Sequence, residues 1–383
     1  MKILLIQSIA EISSEAWDLL APESFPFASY SFLRALETTG CVGDRTGWFP
    51  QYFTVWEGAV LNGALLAFVK SNSYGEYIFD FAWADAYART GLDYYPKVVS
   101  AIPFTPATGP KLLIAEALES ERRSKVQEIL IAALREFVAS QKMSSFHALF
   151  ITEDEKVAFE NQGFMIRHSY QYHWKNDRFA NFSEFLLRLR SKRRKEILRE
   201  REQVKMSGVT ITRLTGADLK PEHAEIMHRF YTDTVSKRGG FEYLTRRFFH
   251  EIFRTLADRI LLVLAHNSEG TAVAGALNYY GGATLFGRNW GCLEDYKSLH
   301  FELCYYQGIE FAIEKGLKLF EAGAQGEHKF QRGFMPSLTL SAHHFENQAL
   351  KKPISDFIEN EAEGIETLFA EYRAHTPFSR ESN

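Results

Sequence analysis

Residues 259–290 read RILLVLAHNSEGTAVAGALNYYGGATLFGRNW, and their reading decides the architecture. Three apolar runs, 259–266, 271–280 and 283–290, are each too short for a stable helix and are rich in aliphatic and aromatic residues, which marks strands. Asn267 to Gly270 separates the first two with hairpin-turn chemistry. The segment therefore predicts an antiparallel meander. Outward from it, 301–315 carries helical periodicity, Gly316 is placed to cap that helix, and 318–321 returns as a strand. Helices at 221–237 and 245–256 precede the meander. A strand at 338–345 and a closing helix at 354–374 follow it.

The first half presents much of the same order. Helical patterns near 14–20 and 30–39 lead to an alternating run at 51–57, Gly58 at a turn, and an apolar run at 62–70. Another strand is expected at 76–81, before an aromatic, Gly- and Pro-containing stretch from Trp83 to Pro110. An amphipathic helix at 122–141, strands at 146–151 and 164–174, and a helix at 153–161 complete the half. Helices, a meander, a long helix and a returning strand thus occur twice. This order resembles the GNAT acyltransferase fold, which predicts an α/β (α+β) chain of two tandem GNAT-like domains, each a mixed, mostly antiparallel sheet flanked by helices. The expected domains are 1–178 and 179–383. The second begins with one long basic helix over 182–207, in which nine Lys/Arg lie between Arg188 and Lys205 against three Glu.

The length of 383 residues suits two domains. A net charge of -4 argues against a duplex-DNA binder, so any polyanion site must be local. Cys41, Cys292 and Cys304 are odd in number and fit no zinc spacing, which predicts reduced thiols and no metal site. Neither a signal-peptide pattern nor a run of about 20 apolar residues is present, so the expected compartment is the cytoplasm. Oligomeric state is not encoded in any of these features.

Three segments resemble the FemAB-like family, a relative of the FemABX aminoacyltransferases of peptidoglycan synthesis. The first is YIFDFAWADAY at 77–87, continuing through YYPK at 94–97 and PFTPATGP at 103–110. The second is SKRRKEI at 191–197. The third is RNWG at 288–291, leading to FEAGAQGEHKFQRGF at 320–334. Together they span nearly the whole chain. The resemblance implies an N-acyltransferase or aminoacyltransferase that acts on an amine acceptor such as a cell-wall precursor. No tightly bound cofactor is expected, and the donor is an aminoacyl-tRNA or an acyl-CoA. Implied partners are tRNA and a phosphorylated small molecule or precursor.

Acyl transfer needs a deprotonated amine, a positioned carbonyl and donors for the oxyanion. An acetyl-CoA enzyme of this fold carries a glycine-rich turn at the helix after its fourth strand, where amides cradle pyrophosphate. Neither 291–296 nor 115–124 has one, which disfavours acetyl-CoA. An acetyl-CoA enzyme with a degenerate loop, and a non-catalytic module binding a phospholigand or RNA, remain as alternatives. Catalytic candidates are Lys329, His328 as a base of near-neutral pKa, and Asp85 as base or amine anchor; Asp85 also reads as a helix N-terminal carboxylate. Binding candidates are Arg288, Asn289, Trp290, Gly323, Gln325 and Arg332 near that segment. In the first half they are Tyr95, Lys97, Thr105 and Thr108, which read equally as aromatic core and rigid connector. On the basic helix they are Lys192, Arg193 and Arg194. With Leu186, Leu189, Ile197 and Val204 on one face, Arg193 is expected to point inward and to meet either a ligand phosphate or a buried structural partner.

Overall fold

Turn chemistry sets the strand pairs. The structure, a computed structural model, describes residues 1–323 and 326–379; Gln325, a binding candidate, lies outside the described residues. The first half forms β1 (Lys2–Ile6), α1 (Ser14–Asp18) and α2 (Tyr30–Thr38), then the hairpin β2 (Trp48–Glu57) and β3 (Val60–Lys70). Gly58 adopts φ 61° in its turn. Next come α3 (Phe81–Arg89), β4 (Lys97–Ser100), β5 (Leu112–Ile114), α4 (Ser120–Ser140), β6 (Ser145–Ile151), α5 (Glu153–Asn161) and β7 (Met165–Lys175). The second half continues with α6 (Phe182–Arg188), α7 (Ser191–Met206), β8 (Thr210–Leu214), α8 (Pro221–Lys237), α9 (Arg246–Thr255), β9 (Ile260–His266), β10 (Ala272–Gly281) and β11 (Thr284–Cys292). It closes with α10 (Leu299–Phe301), α11 (Gln307–Glu314), β12 (Leu319–Glu321), β13 (Met335–Phe345) and α12 (Gln348–Ala374).

By contacts the chain divides into two units. The first holds residues 1–170 and 338–367, the second 171–337 and 368–383. Strand β13 and most of α12 thus return to the first unit, whereas the end of β7 belongs to the second. Within the first unit the sheet order is β1-β2-β3-β4-β6-β13, with β4–β6 parallel and the other pairs antiparallel. Within the second it is β8-β9-β10-β11-β12-β7, with β11–β12 parallel and the others antiparallel. Pair by pair the two sequences of direction are identical, and in each a helix crosses over the parallel pair, as a parallel connection requires. These are two GNAT-like units, and the meander of 259–290 is the middle of the second.

The first unit's core packs α4 on its sheet through Val126, Leu130, Ile131, Leu134 and Val138, all fully buried, against Phe53, Leu65, Val98 and Phe146. No helix among the described residues is long and apolar enough to cross a membrane.

Three expected elements differ. Residues 76–81 form no strand: Tyr77 sits at φ 64°, and Glu76 and Asp80 turn inward to Lys97, which leaves Phe81 to start α3. The single helix over 182–207 is two. Leu189 is extended at φ -82°, ψ 148°, and bridges to Phe378, so α6 and α7 do not share one helical wheel. The helix at 301–315 contains a π turn over Glu302–Tyr306.

Candidate active site

In the second unit, β11 pairs with β12 over only three residues, ending at Phe286 with Glu321. Strand β11 then runs on to Cys292, while the other segment turns away through Ala322 and Gly323 (φ 84°). A cavity of about 540 Å³ opens there, lined on these two sides by Gly287, Arg288, Asn289 and Trp290 and by Ala322, Gly323 and Gly326. Its size suits a small-molecule site.

Local sequence explains each wall. Between β10 and β11, Leu277 pairs with Asn289 and Asn278 with Gly287, so Arg288 is the extra residue of a β-bulge. A bulge re-aims the side chain it carries, and Arg288 lines the cavity. Helix α8 supplies Tyr231, Thr234, Val235 and Arg238. It can pack this close because Gly291 has no Cβ: one there would lie 2.1 Å from the Phe230 carbonyl oxygen. Thr234 Oγ1 ties the helix to the strand by donating to the Trp290 carbonyl at 3.0 Å. The π turn contributes Cys304 and Tyr305, with His300 just before it; π turns occur often at functional sites.

The last wall is the 3₁₀ turn Glu327–Arg332, which presents His328 and Lys329. Gly326 makes room for it, since a Cβ would come 2.6 Å from the His328 ring. Lys329 is only 2 % exposed, and its Nζ donates to the Gly323 carbonyl at 2.8 Å. Among the described residues it has no carboxylate partner. Burial pulls its pKa down from 10.5 to about 8. His328 Nε2 and Tyr305 OH are 2.8 Å apart. Burial, and then Arg332 and Lys329, hold His328 below its usual range. Burial, followed by the charges of His328, Arg332 and Lys329, pushes His300 down to about 4. Both imidazoles are therefore neutral at pH 7. No Asp or Glu is among the described lining residues, and Arg238 and Lys329 bring positive charge to the cavity. Chemically it can hold an anionic group, stabilise an oxyanion and take up a proton. No cluster of three metal-ligating side chains exists among the described residues.

The sequence model of the FemAB-like family, described as peptidoglycan biosynthesis/recognition, matches residues 8–380. The chain belongs to the FemAB-like family. No curated protein matches it. Among solved structures, FemX is similar at 12% identity and TM-score 0.56, over 93% of this chain and 100% of that one. L-PGS from Bacillus licheniformis is similar at 8% identity and TM-score 0.51, over 85% and 94%. At such identities these likenesses speak for the shared fold.

In this FemAB-like chain the cavity brings together Arg288, Asn289, Trp290, Gly323, His328 and Lys329. Arg332 is nearby but does not line it. Its guanidinium makes a bidentate pair with Glu200 of α7, at 2.6 and 3.2 Å. It also donates to Tyr306 OH at 3.0 Å and to the His328 carbonyl at 2.7 Å, and lies 3.4 Å from the Phe301 ring centre. Arg332 thereby pins the turn that carries Lys329. On α7, Arg193 lies beside the buried Ile197 and is half-buried, donating to Glu196 at 2.8 Å and to Gln331 at 3.1 Å. Lys192 is exposed and Arg194 half-buried.

The remaining candidates lie in the first unit. Lys97 is fully buried, 2.8 Å from Glu76 and paired with Asp80. Tyr95 OH meets Ser73 Oγ at 2.7 Å. Thr105 donates to the Pro103 carbonyl at 3.0 Å, Thr108 is half-buried, and Asp85 is exposed on α3. Arg238, Tyr305 and Asn278 line the cavity without having been singled out in sequence. Only the fold marks them: the bulge places Asn278, the π turn places Tyr305, and the end of α8 places Arg238.

Proposed function

We propose that this FemAB-like chain is a transferase that moves an acyl or aminoacyl group onto an amine, using the second unit's cavity. One observation carries the reading: Lys329 is a buried cation with a single carbonyl partner among the described residues, facing a cavity whose described lining includes no carboxylate. Such a charge is costly to bury unless a ligand's negative charge meets it. The donor is an aminoacyl-tRNA ester, and the acceptor is an amine on a phosphorylated cell-wall precursor. The amine attacks the ester carbonyl, the C–N bond forms, and Lys329 stabilises the oxyanion. The C–O bond then breaks, and the ribose hydroxyl leaves with a proton. His328, neutral and held by Tyr305, takes the proton that the amine loses and passes it to the departing ribose oxygen. Arg238 binds phosphate. The absence of a glycine turn after β11, where Ser298 leads into the three-residue α10, weighs against acetyl-CoA.

The test is mass spectrometry of a nucleotide-linked muramyl peptide incubated with the protein and either charged tRNAs or acetyl-CoA. A gain of one aminoacyl mass with tRNA, lost in Lys329→Met, supports the proposal. Transfer from acetyl-CoA alone replaces the donor assignment. Tight binding of donor and acceptor without any transfer overturns the enzyme reading.

A further inference from the structure

Helix α7 divides its charges by face. Arg201 is paired with Glu302 at 3.0 Å and Glu310 at 2.6 Å, Arg193 with Glu196 at 2.8 Å, and Glu200 with Arg332 at 2.6 Å. These ion pairs surround the buried Ile197 and Val204. Lys192, Arg194, Lys195, Arg199 and Lys205 have no ion pair among the described residues. At about 100° per residue, Lys192, Lys195, Arg199 and Met206 fall within about 60° of one another, roughly opposite Ile197 and Val204. Leu198 and Lys205 lie on the flank of that stripe, whereas the half-buried Arg194 lies beside Arg201, nearer the inward face. Glu202 is the one exposed carboxylate on this side. Met206 is 80% exposed and Leu198 50%.

We infer that the outward face of α7 is a docking surface for an anionic lipid bilayer, a property independent of the proposed reaction. Charge complementarity makes the partner anionic, because four unneutralised cations, Lys192, Lys195, Arg199 and Lys205, face one carboxylate on a protein of net charge -4. The apolar residues make it a lipid surface rather than RNA. Leu198 and Met206 sit among the cations, where they enter the headgroup boundary but have no role against phosphates. No aromatic side chain that would stack on a base lies on α7. Attachment by headgroup charge alone is peripheral and reversible, with each Lys or Arg near the surface strengthening it about fivefold. The inward clamp from Glu200 to Arg332 fixes α7 to the turn carrying Lys329, so the docking face is held rigid against the catalytic unit.

Co-sedimentation of the full chain with vesicles decides it. Vesicles of phosphatidylcholine containing phosphatidylglycerol should retain the protein, and pure phosphatidylcholine should not. Retention should fall steeply as salt rises from about 0.1 to 1 M, where the screening length shrinks from about 10 to 3 Å. Lys192→Gln/Lys195→Gln/Arg199→Gln should lower partitioning about 100-fold with melting temperature essentially unchanged. Leu198→Ser/Met206→Ser should lower it several-fold. A tRNA acceptor-stem hairpin serves as the competing ligand. If that RNA binds through the three cations while vesicles do not, or if the triple variant partitions like wild type, the lipid assignment is overturned.

Discussion

Replacing Lys329 by methionine should stabilise the fold while removing activity. Burial lowers the Lys329 pKa from 10.5 to about 8. Each unit is about 1.4 kcal/mol, so carrying the charge costs the folded state about 3 kcal/mol at pH 7. Methionine fills a similar volume without charge. The variant loses the bond to the Gly323 carbonyl, about 1 kcal/mol. The net expectation is about 2 kcal/mol of added stability at pH 7. The sign with pH follows from the protons bound. Between the folded value near 8 and the unfolded value of 10.5, the unfolded state holds more protons. Wild-type stability relative to the variant therefore rises with pH across that window, and the variant's advantage disappears above it. Denaturant unfolding of both proteins from pH 7 to 10.5 measures the difference, in which other titrations cancel. Transfer activity should fall about 100- to 1,000-fold, as for loss of an oxyanion donor. A variant less stable than wild type at pH 7 by more than about 1 kcal/mol, or a difference that does not change with pH, would refute the unpaired buried cation and with it the proposed role.

Two further outcomes follow from the geometry. In the first unit, His147 and His343 are fully buried and meet through Nδ1 at 2.8 Å, and burial holds both far below the usual value. Their unfolded forms take up protons below about pH 6.5, so stability should drop as pH falls from 7 to 5; melting curves should show His343→Gln less acid-sensitive than wild type, and a parallel loss in both would oppose this. Arg332→Met leaves Glu200 and Tyr306 without their cation and should cost about 3 kcal/mol, with activity falling as the 327–332 turn loosens. Glu200→Gln/Arg332→Met should regain part of the melting temperature, because the stranded carboxylate is gone.

Much of this was set by local sequence. The meander at 259–290 is fixed by short apolar runs and the Asn267–Gly270 turn, where Asn267 Oδ1 accepts from the Glu269 and Thr271 amides at 3.1 and 3.0 Å. The repeated element order and the family segments need no tertiary information either. The cavity residues 288–290, 323, 326, 328 and 329 are legible because their motifs lie close together in sequence. Tertiary structure decided the rest. Residues 76–81 alternate like a strand, yet the fully buried ammonium of Lys97 needs carboxylates, and Glu76 and Asp80 turn inward to provide them. Residues 182–207 read as one helix, but the partner that Leu189 bridges, Phe378, is distant in sequence, and Arg193, beside the buried Ile197, is half-buried with Glu196 and Gln331 as its partners. Arg332 reads as a ligand contact until Glu200, 132 residues earlier, occupies its guanidinium. Periodicity and turn residues encode elements because neighbours in sequence set backbone geometry. Which charges are neutralised, and which remain to meet a ligand or a surface, depends on partners that only folding brings within hydrogen-bond reach.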